Sequence, residues 1–195
     1  LNEAGEVQWS KKLDQPVRGP IQQVDLFKNA KYQLVFTTSN QLHCIDLLGR
    51  NVEAFPVELP STTSLGLTVL DYDKNRNYRL LVPCGDRLYN FTSDGKRVDG
   101  WKTDASNGTL TQRPFLYQRG GKDYIITSTL EQAFILNRRG ESRIKTNTLP
   151  ATTNPWALAP GSLPSIIRVG DEGELQEQRW DGTVEILEHD LKDLI

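Results

Sequence analysis

Apolar and polar positions along this chain fall into short runs, and the runs are set out in a unit that returns. Residues 32–57, YQLVFTTSNQLHCIDLLGRNVEAFPV, show it: a continuous apolar run (Leu34, Val35, Phe36), a short polar turn, an alternating run through Leu42 and Ile45, a turn at Gly49, and an aromatic at Phe55. A continuous apolar run of this length fits a strand covered on both faces, and alternation fits a strand covered on one. Gly49 stands between two such runs, where a tight hairpin turn calls for positive φ.

Gly5, Gly95, Gly140 and Gly182 are its counterparts, so the glycines follow one another at intervals of 44, 46, 45 and 42 residues. Four positions before the glycine stand Leu1, Ile45, Phe91 and Leu136, and three before it Asn2, Asp46, Thr92 and Asn137, a short polar residue able to bond the turn backbone. The last copy carries Gln178 and Arg179 instead. An anchor follows each glycine: Trp9, Phe55, Trp101, Ile144 and Ile186.

The pattern predicts strands at 21–27, 32–37, 41–47 and 51–57 in the first full repeat, and at 66–70, 78–82, 87–91 and 98–101 in the second. It predicts 113–117, 123–128, 133–137 and 142–145 in the third, and 156–159, 165–169, 174–180 and 183–188 in the fourth. Four short strands, four times over, is the layout of propeller blades. The fold expected is all-β: a β-propeller of four four-stranded blades at about 18–60, 61–105, 106–150 and 151–190. Residues 1–17 read as the tail of an upstream blade with a strand at 6–12, so the chain is expected to be an arc of a larger propeller that self-associates through uncapped blade faces. Helical periodicity is absent except at 189–195, too few residues for a stable helix unaided.

Leu42, Ile45-Asp46 and Gly49 in their hairpin, with the outer-strand aromatic, resemble the repeat of quinoprotein-type, WD40-like propellers. The stretch from Asp71-Tyr72-Asp73 to Gly100-Trp101 is similar to propeller proteins of the bacterial cell envelope. The resemblance implies a fold and a periplasmic or cell-surface setting. It does not imply quinone chemistry, because the polar and metal-binding residues that hold the quinone cannot be placed on this sequence.

Composition narrows the partners. The 195 residues carry a net charge of −2, with neither a basic stripe nor an acidic tail, which argues against nucleic acid. No run approaches the roughly 18 apolar residues of a membrane span, and the opening LNEAGEVQWS lacks the charged-then-apolar order of a secretion signal. A start at Leu1 and the absence of methionine lead one to expect a processed chain or an excised piece. Cys44 and Cys84 form no CxxC pair and read as small buried hydrophobes.

Candidate chemistry is sparse. Asp71, Asp73, Asn75 and Asn77 place oxygens at alternate positions, as calcium loops do, and resemble the loops of integrin-type propellers. Arg76 replaces the turn glycine and Arg79 stands at the usually acidic ninth position, so the stretch reads first as a polar rim hairpin and second as a weak calcium site. The equivalent loops, 28–31 and 119–122, are basic. His43 and His189 have no zinc-ligand spacing, Ser162 and Ser165 make no nucleophile elbow, and Gly120-Gly121-Lys122 is no phosphate loop. Asp171, Glu172 and Glu174 could supply a glycosidase pair, and Trp101, Trp156 and Trp180 could stack a sugar, though as blade anchors they would pack between sheets.

The reading is a non-catalytic binding or scaffold module for a protein or carbohydrate partner, working through rim loops such as 71–77 and 106–112. The alternative is part of a propeller glycosidase or lyase whose site is completed by further blades.

Overall fold

Hydrogen bonding turns the repeated hairpin pattern into four antiparallel sheets. The computed structural model describes residues 3–103, 106, 108–159 and 165–187. The first sheet runs β1 (Arg18–Val24), β2 (Gln33–Thr37), β3 (Gln41–Asp46) and β4 (Val57–Glu58) in sequence order. The second has three strands, β5 (Thr68–Leu70), β6 (Arg79–Cys84) and β7 (Arg87–Thr92). The third joins β8 (Gln112–Arg119), β9 (Lys122–Ser128), β10 (Ala133–Leu136) and β11 (Ser142–Ile144), and the fourth β12 (Ala157–Ala159), β13 (Ser165–Val169), β14 (Leu175–Arg179) and β15 (Val184–Leu187). The chain divides into two compact units, Leu1–Asp99 with the first two sheets and Gly100–Ile195 with the last two.

The continuous apolar runs are second strands covered on both sides: Val35 and Phe36, Leu80 to Val82, Ile125 and Ile126, and Ile166 are buried. One core gathers Val35, Leu42, Cys44, Leu80, Cys84 and Phe91 in the first unit, and another gathers Ile126, Ile135, Trp156 and Ile166 in the second. Both cysteines are free and buried, as small hydrophobes should be, and burial pushes each thiol up to about 12.

The glycine turns close alike. The N–H groups of Gly49, Gly95 and Gly140 each donate to the carbonyl three residues back at 3.0 Å, with φ of 78°, 79° and 80°. The short polar residue bonds the turn as its chemistry suggests: Asp46 Oδ1 accepts the Leu48 and Arg50 N–H groups, and Asn137 Oδ1 those of Arg139 and Glu141. In the irregular fourth copy Asp181 takes over, accepting the Thr183 N–H at 2.9 Å. Gln178 fills the buried position there and satisfies its amide on the Asn147 N–H and the Arg179 and Thr183 carbonyls.

Three of the anchors, Trp9, Phe55 and Trp101, sit on the glycine of the following repeat. A Cβ on Gly49 would lie 2.7 Å from the Trp9 ring, one on Gly95 2.7 Å from Val57 and 3.3 Å from Phe55, and one on Gly140 2.9 Å from Trp101. Glutamines repeat the link at the first strands. Gln22 bonds the Leu67 carbonyl and the Val69 N–H, and Gln112 bonds the Trp156 carbonyl and N–H. Gly19 and Gly66 meet backbone to backbone, each where a Cβ would come within 2.4 Å of a carbonyl oxygen across the contact.

Three expectations are corrected. Residues 6–12 form no strand: they are mostly exposed, fixed by the Trp9 indole N–H on the Leu47 carbonyl at 2.6 Å and by Lys11 Nζ on the Gly49 carbonyl at 3.1 Å. Residues 98–101 form none either, because after a single Phe91–Arg97 bridge the chain turns at Asp99-Gly100, with φ of 71° at the glycine. In the first sheet the expected 51–57 strand reduces to a bridge at Asn51 and the two residues of β4. Residues 189–195 lie outside the described residues.

Candidate functional site

Two turns of the same construction project from one end of the first two sheets. In the first, between β1 and β2, the Asp25 carboxylate accepts the Asn29 and Ala30 N–H groups at 3.0 and 3.1 Å. In the second, between β5 and β6, Asp71 accepts those of Asn75 and Arg76 at 3.0 and 2.8 Å. Asn29 and Asn75 each accept the N–H two residues on. Lys28 and Ala30, and likewise Lys74 and Arg76, hold positive φ between 53° and 63°.

The turns interlock. Arg76 Nη1 reaches the buried Asp25 carboxylate at 2.8 Å, Lys28 Nζ donates to Asn77 Oδ1 at 2.9 Å, and the Asp25 N–H donates to the Tyr78 hydroxyl at 3.3 Å. The residues singled out from sequence are thus placed as follows. Asp71, Asn75 and Asn77 direct oxygens at N–H donors of their own turn or at Lys28, and Asp73 lies exposed between them. The alternating oxygens that resemble a calcium loop are the acceptors that hold this turn, and Asp25 and Asn29 do the same work in a loop whose sequence resembles no calcium site. Of the 106–112 loop, Asn107 lies outside the described residues, and Gln112 serves as the glutamine link.

Beside these turns the first sheet presents large apolar side chains to solvent: Phe27 is 60% exposed, Tyr32 42%, Leu47 52% and Leu48 64%. Phe27 lies in the Asp25 turn, Tyr32 and Leu47 flank the Gln33–Asp46 pair, and Leu48 caps the Gly49 turn, so all four stand at one sheet end. The fold does not require them. At the positions of Leu47 and Leu48 the later repeats carry Ser93 and Asp94, Arg138 and Arg139, and Trp180 and Asp181; at that of Phe27 the second carries Asp73. Exposed basic groups surround them, Lys11, Lys28, Lys31 and Arg50, with Asp46 engaged by Arg50 at 2.7 Å and Asp73 exposed in the neighbouring turn. This cluster was legible only by comparing the repeats position by position, since a lone apolar residue in a turn carries no signal.

The second unit holds a polar network. Arg168 is buried, its guanidinium bonding Gln176 Oε1 at 2.7 Å and the Leu130 and Pro150 carbonyls at 2.6 and 2.9 Å, 4.6 Å above the Trp156 ring. Beside it opens a cleft of about 560 Å³ lined by Pro150, Ala151, Asp171, Glu172, Gly173, Glu174 and Ile186. The Gln176 amide, at 2.7 Å, holds the Glu174 carboxyl below the usual range, the opposite of what a general acid needs. The tryptophans pack between neighbouring strands. Trp156 is core, Trp180 stacks on Tyr124 with centroids 5.1 Å apart, and Trp101 covers Gly140. His43 is buried against Phe36, its ring stacked at 4.9 Å, with Nε2 3.5 Å from Thr38 Oγ1. Ser165 is buried at the start of β13, and residues 160–164, with Ser162, lie outside the described residues.

No family model matches the chain, and no curated protein does. Solved structures do. The chain is similar to crystal structures of BBS1N in complex with ARL6DN, one soaked with mercury (TM-score 0.61, 15% identity) and one soaked with lead (TM-score 0.62, 13% identity), with 90% of this chain and 58% of that chain covered in each. The chain therefore spans little more than half the length of the solved chains it matches. At such identity the likeness is one of fold and carries neither the quinoprotein family nor the envelope setting. The repeated antiparallel sheets, three of four strands and one of three, and this likeness together make the chain an all-β protein of the β-propeller fold.

Proposed function

We propose that this chain is a non-catalytic β-propeller binding module whose contact surface is the loop end of the first two blades. The observation that carries the reading is the set of exposed apolar residues, Phe27, Tyr32, Leu47 and Leu48, held on turns whose backbone is fixed by Asp25 and Asp46. Exposed apolar groups clustered on a rigid scaffold are what a contact surface needs, because little ordering entropy remains to be lost on binding. The 71–77 loop supplies the polar rim, with Asp73 exposed and Asn77 tied to Lys28. The same fold in BBS1N is seen in complex with ARL6DN, which gives a precedent for a propeller used as a docking surface.

A photoreactive benzophenone residue placed at 27, 48 or 130 in the cell that makes the protein tests this. Adducts at 27 and 48 that are missing at 130, which is exposed in the other unit, are the expected result. Adducts at 130 alone, or none at 27 and 48, would refute the assignment.

A further inference from the structure

We infer that the first blade's loop end docks on an anionic lipid surface, with Phe27 and Leu48 entering the interface; the inference rests on the binding-module reading above. Three features point there. The apolar residues stand at the tips of two separate hairpin turns, the Asp25 turn and the Gly49 turn, rather than lining a groove into which a peptide would lie. Both turns are braced, the first by Asp25 on the Asn29 and Ala30 N–H groups and by Arg76, the second by Asp46 and by the Trp9 ring against Gly49, so the tips are held outward whether or not anything covers them.

The charge at the tips is the third. The stretch 26–32, LFKNAKY, contains Lys28 and Lys31 and no acid, and Arg50 and Lys11 flank the second tip. Most carboxylates at this end face a cation or their own turn: Asp25 faces Arg76, Asp46 faces Arg50, Asp71 holds its turn, and in the second blade Asp94 faces Lys96; Asp73 and Asp94 are the exposed ones among these. Counted with both signs, Lys11, Lys28, Lys31, Arg50, Lys74 and Arg76 outnumber Asp25, Asp46, Asp71 and Asp73, so a chain of net charge −2 carries an excess of basic groups where its apolar tips are. Aromatic and aliphatic side chains among lysines and arginines are the composition of surfaces that seat at the headgroup boundary, where the rings and aliphatic chains enter and the cations meet lipid phosphates and carboxylates.

The 195-residue chain, floated with phosphatidylcholine vesicles with and without 30% phosphatidylserine, reads this directly. Expected is recovery with the anionic vesicles at least about ten-fold above the neutral ones, falling as salt is raised from 0.15 to 0.5 M. Phe27→Ser with Leu48→Ser, and separately Lys28→Glu with Lys31→Glu, should each lower that recovery about ten-fold. Val169→Ser, an exposed apolar residue in the second unit, should leave it unchanged. Melting curves on the same samples establish that the variants fold, which the exposure of all four substituted residues favours. Wild-type chain that ignores anionic vesicles, or tip variants that float as well as wild type, would overturn the lipid assignment. So would a drop in sedimentation mass in the tip variants without a drop in flotation, which would make a second copy the occupant. Benzophenone adducts at 27 that are polypeptide and not lipid would sink the lipid while leaving the binding module standing. Adducts at neither 27 nor 48 would remove both.

Discussion

His43 shows how much a single environment decides. Its neighbours in sequence, Leu42 and Cys44, are fully buried, and the imidazole lies flat on Phe36 with Thr38 beside it. Burial holds its pKa below the ordinary value, Lys11 adds to the shift and Glu58 opposes it. Below about pH 6.5, the unperturbed histidine value, the unfolded chain therefore binds more protons than the folded one, and the folded state loses stability as pH falls. The first unit should melt at progressively lower temperature between pH 7 and pH 5, a window above the carboxylate range. His43→Phe, which keeps the stack and has no proton to take up, should flatten that slope. Parallel slopes in the two proteins, followed by thermal melting across the window, would assign the pH dependence elsewhere.

At the scale of elements, the strand pattern was written in the chain because a strand covered on both faces has few ways to be built. The apolar runs of β2, β6, β9 and β13 fall where the sequence puts them, and 165–169 matches to the residue. Outer strands were less legible: they are covered on one face only, so their apolar signal is thin, and a glycine such as Gly100 can end one early. The candidate loop at 71–77 illustrates a different difficulty, since calcium loops and Asp-held turns use the same oxygens, and spacing alone does not say whether these face a cation or their own backbone N–H groups. Asp71→Ala should destabilise the first unit by about 1 kcal/mol, the usual size for losing such a capping carboxylate. Asp25→Ala should cost more, about 2 kcal/mol, because the buried Asp25 carboxylate accepts two backbone N–H groups and also a hydrogen bond from the half-exposed Arg76 guanidinium. With Lys28 and Arg76 beside the loop, calcium at millimolar concentration should shift neither wild type nor Asp71→Ala. Titration calorimetry showing micromolar binding that Asp71→Ala abolishes would restore the calcium reading.

Within each unit a rule operates between repeats, and this is the part the sequence half disclosed. It showed a glycine and, a few residues later, an anchor, as though the two belonged to one hairpin. The anchor instead lies on the next glycine along: Trp9 on Gly49, Phe55 and Val57 on Gly95, Trp101 on Gly140. Contacts across about 40 residues leave no local periodicity to read, and the Gln22 and Gln112 links at similar separation were missed for the same reason. Trp9 makes the N-terminal segment do for the Gly49 turn what Phe55 and Trp101 do for the Gly95 and Gly140 turns. The rule separates two costs that a turn glycine can carry. Gly5 has φ of 78° and nothing within 4 Å of where a Cβ would stand, so Gly5→Ala should lose about 1 kcal/mol from backbone strain alone. Gly49, Gly95 and Gly140 share that φ, but a methyl group there meets an anchor at 2.7 to 2.9 Å and must displace it. Overpacking of this kind adds about 1–3 kcal/mol, so Gly49→Ala, Gly95→Ala and Gly140→Ala should each lose about 2–4 kcal/mol in urea unfolding. Trp9→Ala should bring Gly49→Ala back toward the Gly5→Ala loss, because with the ring gone only strain is left. If the Gly49→Ala penalty is the same with and without Trp9, the anchor does not bear on the turn and the link between repeats lies elsewhere.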